Sequence, residues 1–266
     1  MENIYFALTE AFNRGGPAVA LASGQAVAYY RIAIMSKDGD WIVRESPEAC
    51  ERVLDELKRH GARYRPGAPL DVRWLAGGWS SHFEFLDDRG RRIRCDFLSR
   101  PPRVPPASVQ QLFHQAGGDT TLVVDPESLI LMKQTQQAKD YAVIGELAAR
   151  LPAEREIELT TDPDRVLALA SSLGASSQRP AVRAALNGTG RAAVVAALAQ
   201  EADDLQQRDA ARLARYERAA QRYLEACRSA GATDRPLREA HARLCEIAGR
   251  WLPHHVQGDD WNADAE

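Results

Sequence analysis

The sequence has no cysteine pair, no long apolar run and no excess of charge of one sign, and each absence removes a class of protein. Its four cysteines, Cys50, Cys95, Cys227 and Cys245, stand far apart with no C-x-x-C spacing. Neither a zinc site nor a disulfide framework is indicated, and reduced thiols in a cytoplasm are expected. No apolar run approaches the ~20 residues needed to cross a bilayer. The opening MENIYFALTEAFNRGG carries Glu2 and Glu10 and lacks the basic-then-apolar layout of a secretory signal. The expectation is a soluble, cytoplasmic protein with no membrane role. With 34 Lys and Arg against 37 Asp and Glu, the net charge is −3. That argues against bulk electrostatic capture of nucleic acid and leaves a local basic groove open.

What is present is ordinary for a globular chain: 266 residues, 45 % hydrophobic and 27 % charged, enough for one large domain or two modest ones. Residues 2–13 read as a helix stopped by Gly15-Gly16-Pro17. A short buried strand follows in AVALA, then Ser23-Gly24 and a helical pattern through Tyr29 and Tyr30. DWIVRE reads as a second strand. Ser46-Pro47-Glu48 has the form of a helix start, and that helix should run to Gly61. LDVRWLAG and SSHFEFLD are β-like, DDRG makes a turn, and RRIRCDFLS continues as a strand. TLVVD suggests one more short strand, and PESLILMKQTQQAKDYAVIGELAARL a long helix. Beyond Pro152, Ala, Arg, Glu and Gln dominate and helix is favoured by propensity alone. The expected architecture is α+β: a mixed sheet flanked by helices over residues 1–150, then a mostly helical region over 151–266.

Residues 36–43, SKDGDWIV, hold the most suggestive chemistry. Asp38 and Asp40 are spaced so that a strand would set them on one face, and carboxylates that close repel unless a cation or a proton is shared. A third carboxylate, Asp96, lies in RIRCDFL. Three carboxylates on neighbouring strands suit one or two magnesium ions, which prefer oxygen ligands and substrate phosphates. The small-residue turn Ser23-Gly24 before a helix could hold phosphate oxygens on backbone N–H groups.

Together, SGQAVAYYRIAIMSKDGDWIV, RIRCDFLS and ESLILMKQTQQAKDYAVIGEL resemble the nucleotidyltransferase superfamily, in particular its small bacterial branches. The resemblance covers roughly residues 4–150 and rests on the order of its elements. It implies a nucleotidyltransferase-like mixed sheet, and an Mg²⁺-dependent transfer of a nucleoside monophosphate from an NTP to a hydroxyl on RNA (tRNA for instance), a protein or a small molecule. It further implies that Asp38, Asp40 and Asp96 hold two Mg²⁺ ions, with Asp96 also helping to deprotonate the acceptor. Ser23 and Gly24 would contact the terminal phosphates, and Lys133 or Lys139 would neutralise the departing pyrophosphate. Arg92 and Arg94, on the strand face of Asp96, would contact nucleotide or acceptor. Members of these branches are often toxin or antitoxin components, which implies a partner protein. Two departures stand out. The turn is Ser-Gly rather than Gly-Gly or Gly-Ser, and Gly39 replaces an apolar residue, which is expected to loosen the strand.

Each feature also has a plainer reading. Asp38 and Asp40 suit an exposed strand start, and Lys133, Lys139 and Asp140 suit the wet face of an amphipathic helix. His254-His255 is a surface feature, while His82 and His114 lack motif context. The stretch ARLARYERAAQRYLEACR reads as a core helix with Leu213, Tyr216, Ala220, Tyr223 and Leu224 inward rather than as a nucleic-acid stripe. Beside the enzyme stand a catalytically degenerate relative acting as a binding module, and an adaptor whose function lies in residues 151–266.

Overall fold

Five short strands form one mixed sheet: β1 (Val19–Ala22), β2 (Gly39–Val43), β3 (Arg63–Tyr64), β4 (Ser81–Leu86) and β5 (Arg92–Leu98), in the order β1-β2-β5-β4-β3. Only β2 and β5 run parallel; every other pair is antiparallel. The protein is seen here as a computed structural model describing residues 3–32, 37–114, 121–135, 137–173 and 176–256, with the side chains of Ala138 and Lys139 outside the described set.

By compactness the chain divides into two units, Met1–Val124 with Ala214–Glu266, and Asp125–Leu213. A boundary at residue 150 falls inside the second. In the first unit, α1 (Ile4–Phe12), α2 (Ser23–Tyr29) and α3 (Pro47–Arg59) accompany the first strands. Ser46 starts α3 as expected: its Oγ accepts a hydrogen bond from Ala49 N at 3.1 Å, with Pro47 at the first position.

LDVRWLAG departs from the β expectation. It contains a four-residue helix, α4 (Val72–Leu75), because Asp71 Oδ1 accepts from Arg73 N at 2.9 Å and caps the turn. The next helix is α5 (Pro106–His114). TLVVD contributes a single parallel bridge, Leu21 to Val123, rather than a strand of its own.

The long helix expected after Pro126 is two helices, α6 (Pro126–Lys133) and α7 (Ala138–Ala148). Thr135 occupies the break: its Oγ1 donates to Asp140 Oδ2 at 2.8 Å and accepts from Gln137 N at 3.0 Å. Such side-chain bonds offer the backbone an alternative to helix. The second unit continues with α8 (Ala153–Leu159), α9 (Pro163–Leu173), α10 (Pro180–Leu186) and the start of α11 (Arg191–Ser229). Its own core gathers Ile157, Val166, Ala170, Ala181, Val182 and Val194.

The end of α11 and α12 (Leu237–Trp251) return to the first unit, so the C-terminal helices are part of the sheet's own core. Tyr216, Ala220, Tyr223, Leu244 and Ile247 share one apolar cluster with Trp41, Phe83 and Phe97. Tyr216 and Tyr223 donate their hydroxyls to the carbonyls of Gly77 and Gly67, each at 3.0 Å. The inward face expected for this helix is present: Tyr216, Ala220 and Tyr223 are buried and Leu224 packs against the cluster.

Candidate functional site

Strand register assembles the candidate residues. Asp40 lies directly opposite Asp96 across the parallel pair β2/β5, and opposite Ala22, the last residue of β1. Ser23-Gly24 follows Ala22 immediately. The turn, the acidic pair and the third carboxylate therefore form a row across three adjacent strands. Asp38 precedes β2 and lies on the same side, for Arg94, which shares the face of Asp96, brings its Nη1 to 3.8 Å from Asp38 Oδ1. Arg92 is not drawn in; it stands 3.9 Å from Glu84.

The backbone under Asp38 is held from both sides. Tyr5 donates its hydroxyl to the Lys37 carbonyl at 2.6 Å, and Gln25 Nε2 donates to the Asp38 carbonyl at 3.5 Å. Asn3 Nδ2 in turn donates to Gln25 Oε1 at 3.0 Å. Burial pushes the Tyr5 phenol up to about 12, with the charges of Cys95, Asp38 and Asp40 adding to the effect.

Gly39 does not loosen the strand. It is paired opposite Cys95 and buried, and a Cβ there would lie 2.4 Å from the Trp41 ring and 2.5 Å from Tyr5. The rings occupy the space an apolar side chain would otherwise fill. Trp41 is fixed in turn: it stacks on Phe97 at 5.2 Å, meets Phe12 edge-on at 5.4 Å, and donates Nε1–H to Thr9 Oγ1 at 2.9 Å.

The turn's departure has a backbone meaning. Ser23 has φ +48°, in the left-handed region, while Gly24 does not. A glycine first in the turn adopts that conformation freely and a serine adopts it with strain.

Asp96 is already engaged. His82, opposite it on β4, holds Nδ1 at 2.8 Å from Asp96 Oδ1, and Arg65 Nη1 reaches the same oxygen at 3.2 Å. The other ring nitrogen of His82 lies 3.0 Å from Ser80 Oγ. Cys95 points to the opposite face, where burial and the neighbouring Asp96 charge hold its thiol well above the usual range.

Among the described residues no group of three or more His, Cys, Asp or Glu side chains is gathered closely enough to hold a metal ion alone. Magnesium does not need such a cage. It is commonly held by one or two carboxylates together with waters and substrate phosphates. Asp38, Asp40 and Asp96 are oxygen donors of the right kind, so the residues fit that ion.

Lys133 and Lys139 belong to the second unit. Lys133 is buried and donates to Asp140 Oδ1 at 2.9 Å, a pair that neutralises its charge locally. The Lys139 side chain lies outside the described residues.

Sequence reading missed His82, Ser80 and Arg65. A signal for His82 was present: the hairpin turn DDRG centres on Arg89, and positions equidistant from it pair, which sets His82 against Asp96.

No helix among the described residues is long and apolar enough to cross a membrane. No protein-family model matches the chain, and no curated protein matches it. A solved structure, the "putative nucleotidyltransferase" of H. pylori, is distantly similar, with a TM-score of 0.38 and 12 % identity over 77 % of this chain and 95 % of that one.

Proposed function

We propose that the chain is a nucleotidyltransferase that moves a nucleoside monophosphate from an NTP to a hydroxyl acceptor, an RNA, protein or small molecule, and releases pyrophosphate. The observation that carries this reading is the register of Ala22, Asp40 and Asp96, which lines up the Ser23-Gly24 turn with the acidic residues. Asp38, Asp40 and Asp96 are the residues to hold Mg²⁺, which when bound supplies charge neutralisation at the phosphates and lowers the barrier to attack. Ser23 and Gly24 face the terminal phosphates. Arg94 and Arg65 are cations beside the same acids, suited to phosphate oxygens. Roles for Lys133 and Lys139, and a place in a toxin–antitoxin pair with a partner protein, rest on sequence resemblance alone. Incubation with each α-labelled NTP, Mg²⁺ and total RNA or cell lysate tests the reading. Label should pass to an RNA, protein or small-molecule acceptor with the wild type and not with Asp40→Asn.

A second reading, a binding module without catalysis, is favoured by the engagement of Asp96 Oδ1 by both His82 and Arg65. The Arg65 guanidinium there supplies part of the charge that a metal would. Calorimetry separates the two: a folded protein that binds neither Mg²⁺ nor any NTP is the module.

A further inference from the structure

Ser80, His82 and Asp96 lie in a chain of hydrogen bonds that the acidic site does not require. Asp96 Oδ1 is 2.8 Å from His82 Nδ1, and His82 Nε2 is 3.0 Å from Ser80 Oγ. A carboxylate only accepts hydrogen bonds, so Nδ1 donates to Asp96, and in the neutral ring the lone pair is then on Nε2, the nitrogen that faces the serine hydroxyl. That tautomer and orientation are the ones a nucleophilic serine needs, with the carboxylate orienting the base and the base facing the hydroxyl.

The imidazole is also held in place. A Cβ on Gly67 would lie 2.5 Å from His82 Cδ2, so the backbone at Gly67 closes directly on the ring. That backbone is tied to β4 on both sides: Arg65 N donates to the His82 carbonyl at 2.8 Å, and Ala68 N donates to the Ser80 carbonyl at 3.0 Å. Tyr223 holds the Gly67 carbonyl from beneath at 3.0 Å. The His82 and Asp96 side chains remain 28 % and 25 % exposed, so the set is open to a reagent.

We propose that Ser80 is an activated nucleophile, with His82 its base and Asp96 the positioning residue, and that it accepts a nucleotidyl group from NTP within its own chain. The donor half of this claim rests on the nucleotidyltransferase reading; the activated serine does not. In the transfer, Ser80 Oγ bonds to the α-phosphorus, the bond from that phosphorus to the pyrophosphate oxygen breaks, the hydroxyl proton passes to His82 Nε2, and pyrophosphate leaves. The product is a phosphodiester on Ser80.

Two arms test it on the full chain. Without metal or nucleotide, a fluorophosphonate probe should form a bond between Ser80 Oγ and phosphorus with loss of fluoride. Peptide mapping should place the adduct on Ser80. His82→Gln should slow labelling roughly 100-fold, in the range for loss of a general base. Asp96→Asn should slow it too while leaving the unfolding midpoint near the wild type, an effect a merely structural carboxylate would not give. Absence of an adduct on Ser80, or equal rates in His82→Gln, overturns the activated serine.

In the second arm, wild type with Mg²⁺ and each NTP is weighed intact and then mapped. One added nucleoside monophosphate on Ser80 supports the acceptor role. Transfer to other acceptors with Ser80 unmodified overturns that role and leaves the proposed function standing. Transfer to nothing at all overturns both the proposed function and the acceptor role, while the probe arm still decides the activated serine.

Discussion

The two faces of the β2/β5 pair differ in almost everything except their backbone. On one lie Gly39, Trp41, Val43, Cys95 and Phe97, all buried. On the other lie Asp40, Arg94 and Asp96, partly exposed, with His82 beside them on β4. Alternation along each strand separates them: a one-residue insertion, deletion or register slip would exchange one face for the other. The apolar face is packed to contact, and its aromatic rings leave no room even for a methyl group at Gly39. The polar face holds arginine–carboxylate pairs between 3.2 and 3.9 Å, partly open to solvent. One face therefore lies wholly in the core, and the other, buried at Ile42, opens at Asp40, Arg94 and Asp96, where it can carry a site.

Mutations sharpen that contrast. Trp41→Ala removes the ring that stacks on Phe97 and meets Phe12. It should cost about 3–5 kcal/mol in urea unfolding, the range for deleting a buried large aromatic. Gly39→Ala forces its methyl group onto Trp41 and Tyr5, and should cost about 1–3 kcal/mol by overpacking. A neutral result there would mean the rings move aside freely and the packing account is wrong.

Tyr5→Phe loses one hydrogen bond to the Lys37 carbonyl, worth about 1 kcal/mol at neutral pH. Its pH dependence is more telling. The phenol is raised to about 12 in the fold by burial, against about 10 in the unfolded chain. The fold thus favours the protonated form. The stability this contributes is fully present below about pH 10 and is lost as pH rises through about 12. Between those limits wild type should lose more stability than Tyr5→Phe, and parallel curves would contradict the burial of that hydroxyl.

Ser23→Gly relieves a left-handed backbone and should raise stability by up to about 1 kcal/mol, partly offset by the greater freedom of glycine when unfolded. A loss of stability would mean that the Ser23 side chain holds the turn.

The same contrast explains what was legible in the sequence. DWIV and RIRCDFL announced β2 and β5 because alternation and β-branched residues are local signals, and Ser46-Pro47 announced α3 by its cap. α4 was hidden because a single capping aspartate outweighed an apolar cluster that reads as strand. The contribution of α12 to the sheet's core depends on contacts nearly two hundred residues apart, such as Tyr64 with His241 at 2.8 Å, which no window along the chain records. In the site, residue types were legible and their neighbours were not. Asp38, Asp40 and Asp96 stood out by spacing, whereas Arg65 meets Asp96 only through the pairing of β3, β4 and β5. Gly39 was misjudged because a strand glycine is weak in isolation, and its value here lies in the rings of Trp41 and Tyr5.

Asp40→Asn tests the whole account most directly. It changes the polar face alone and should shift stability by no more than about 0.5 kcal/mol, as surface substitutions usually do. With α-labelled NTPs, Mg²⁺ and total RNA or lysate, wild type should transfer label to an acceptor, large or small, and release pyrophosphate, while a folded Asp40→Asn should lose that transfer. Equal transfer by both proteins, or none by wild type with any NTP, would contradict the proposed nucleotidyltransferase activity.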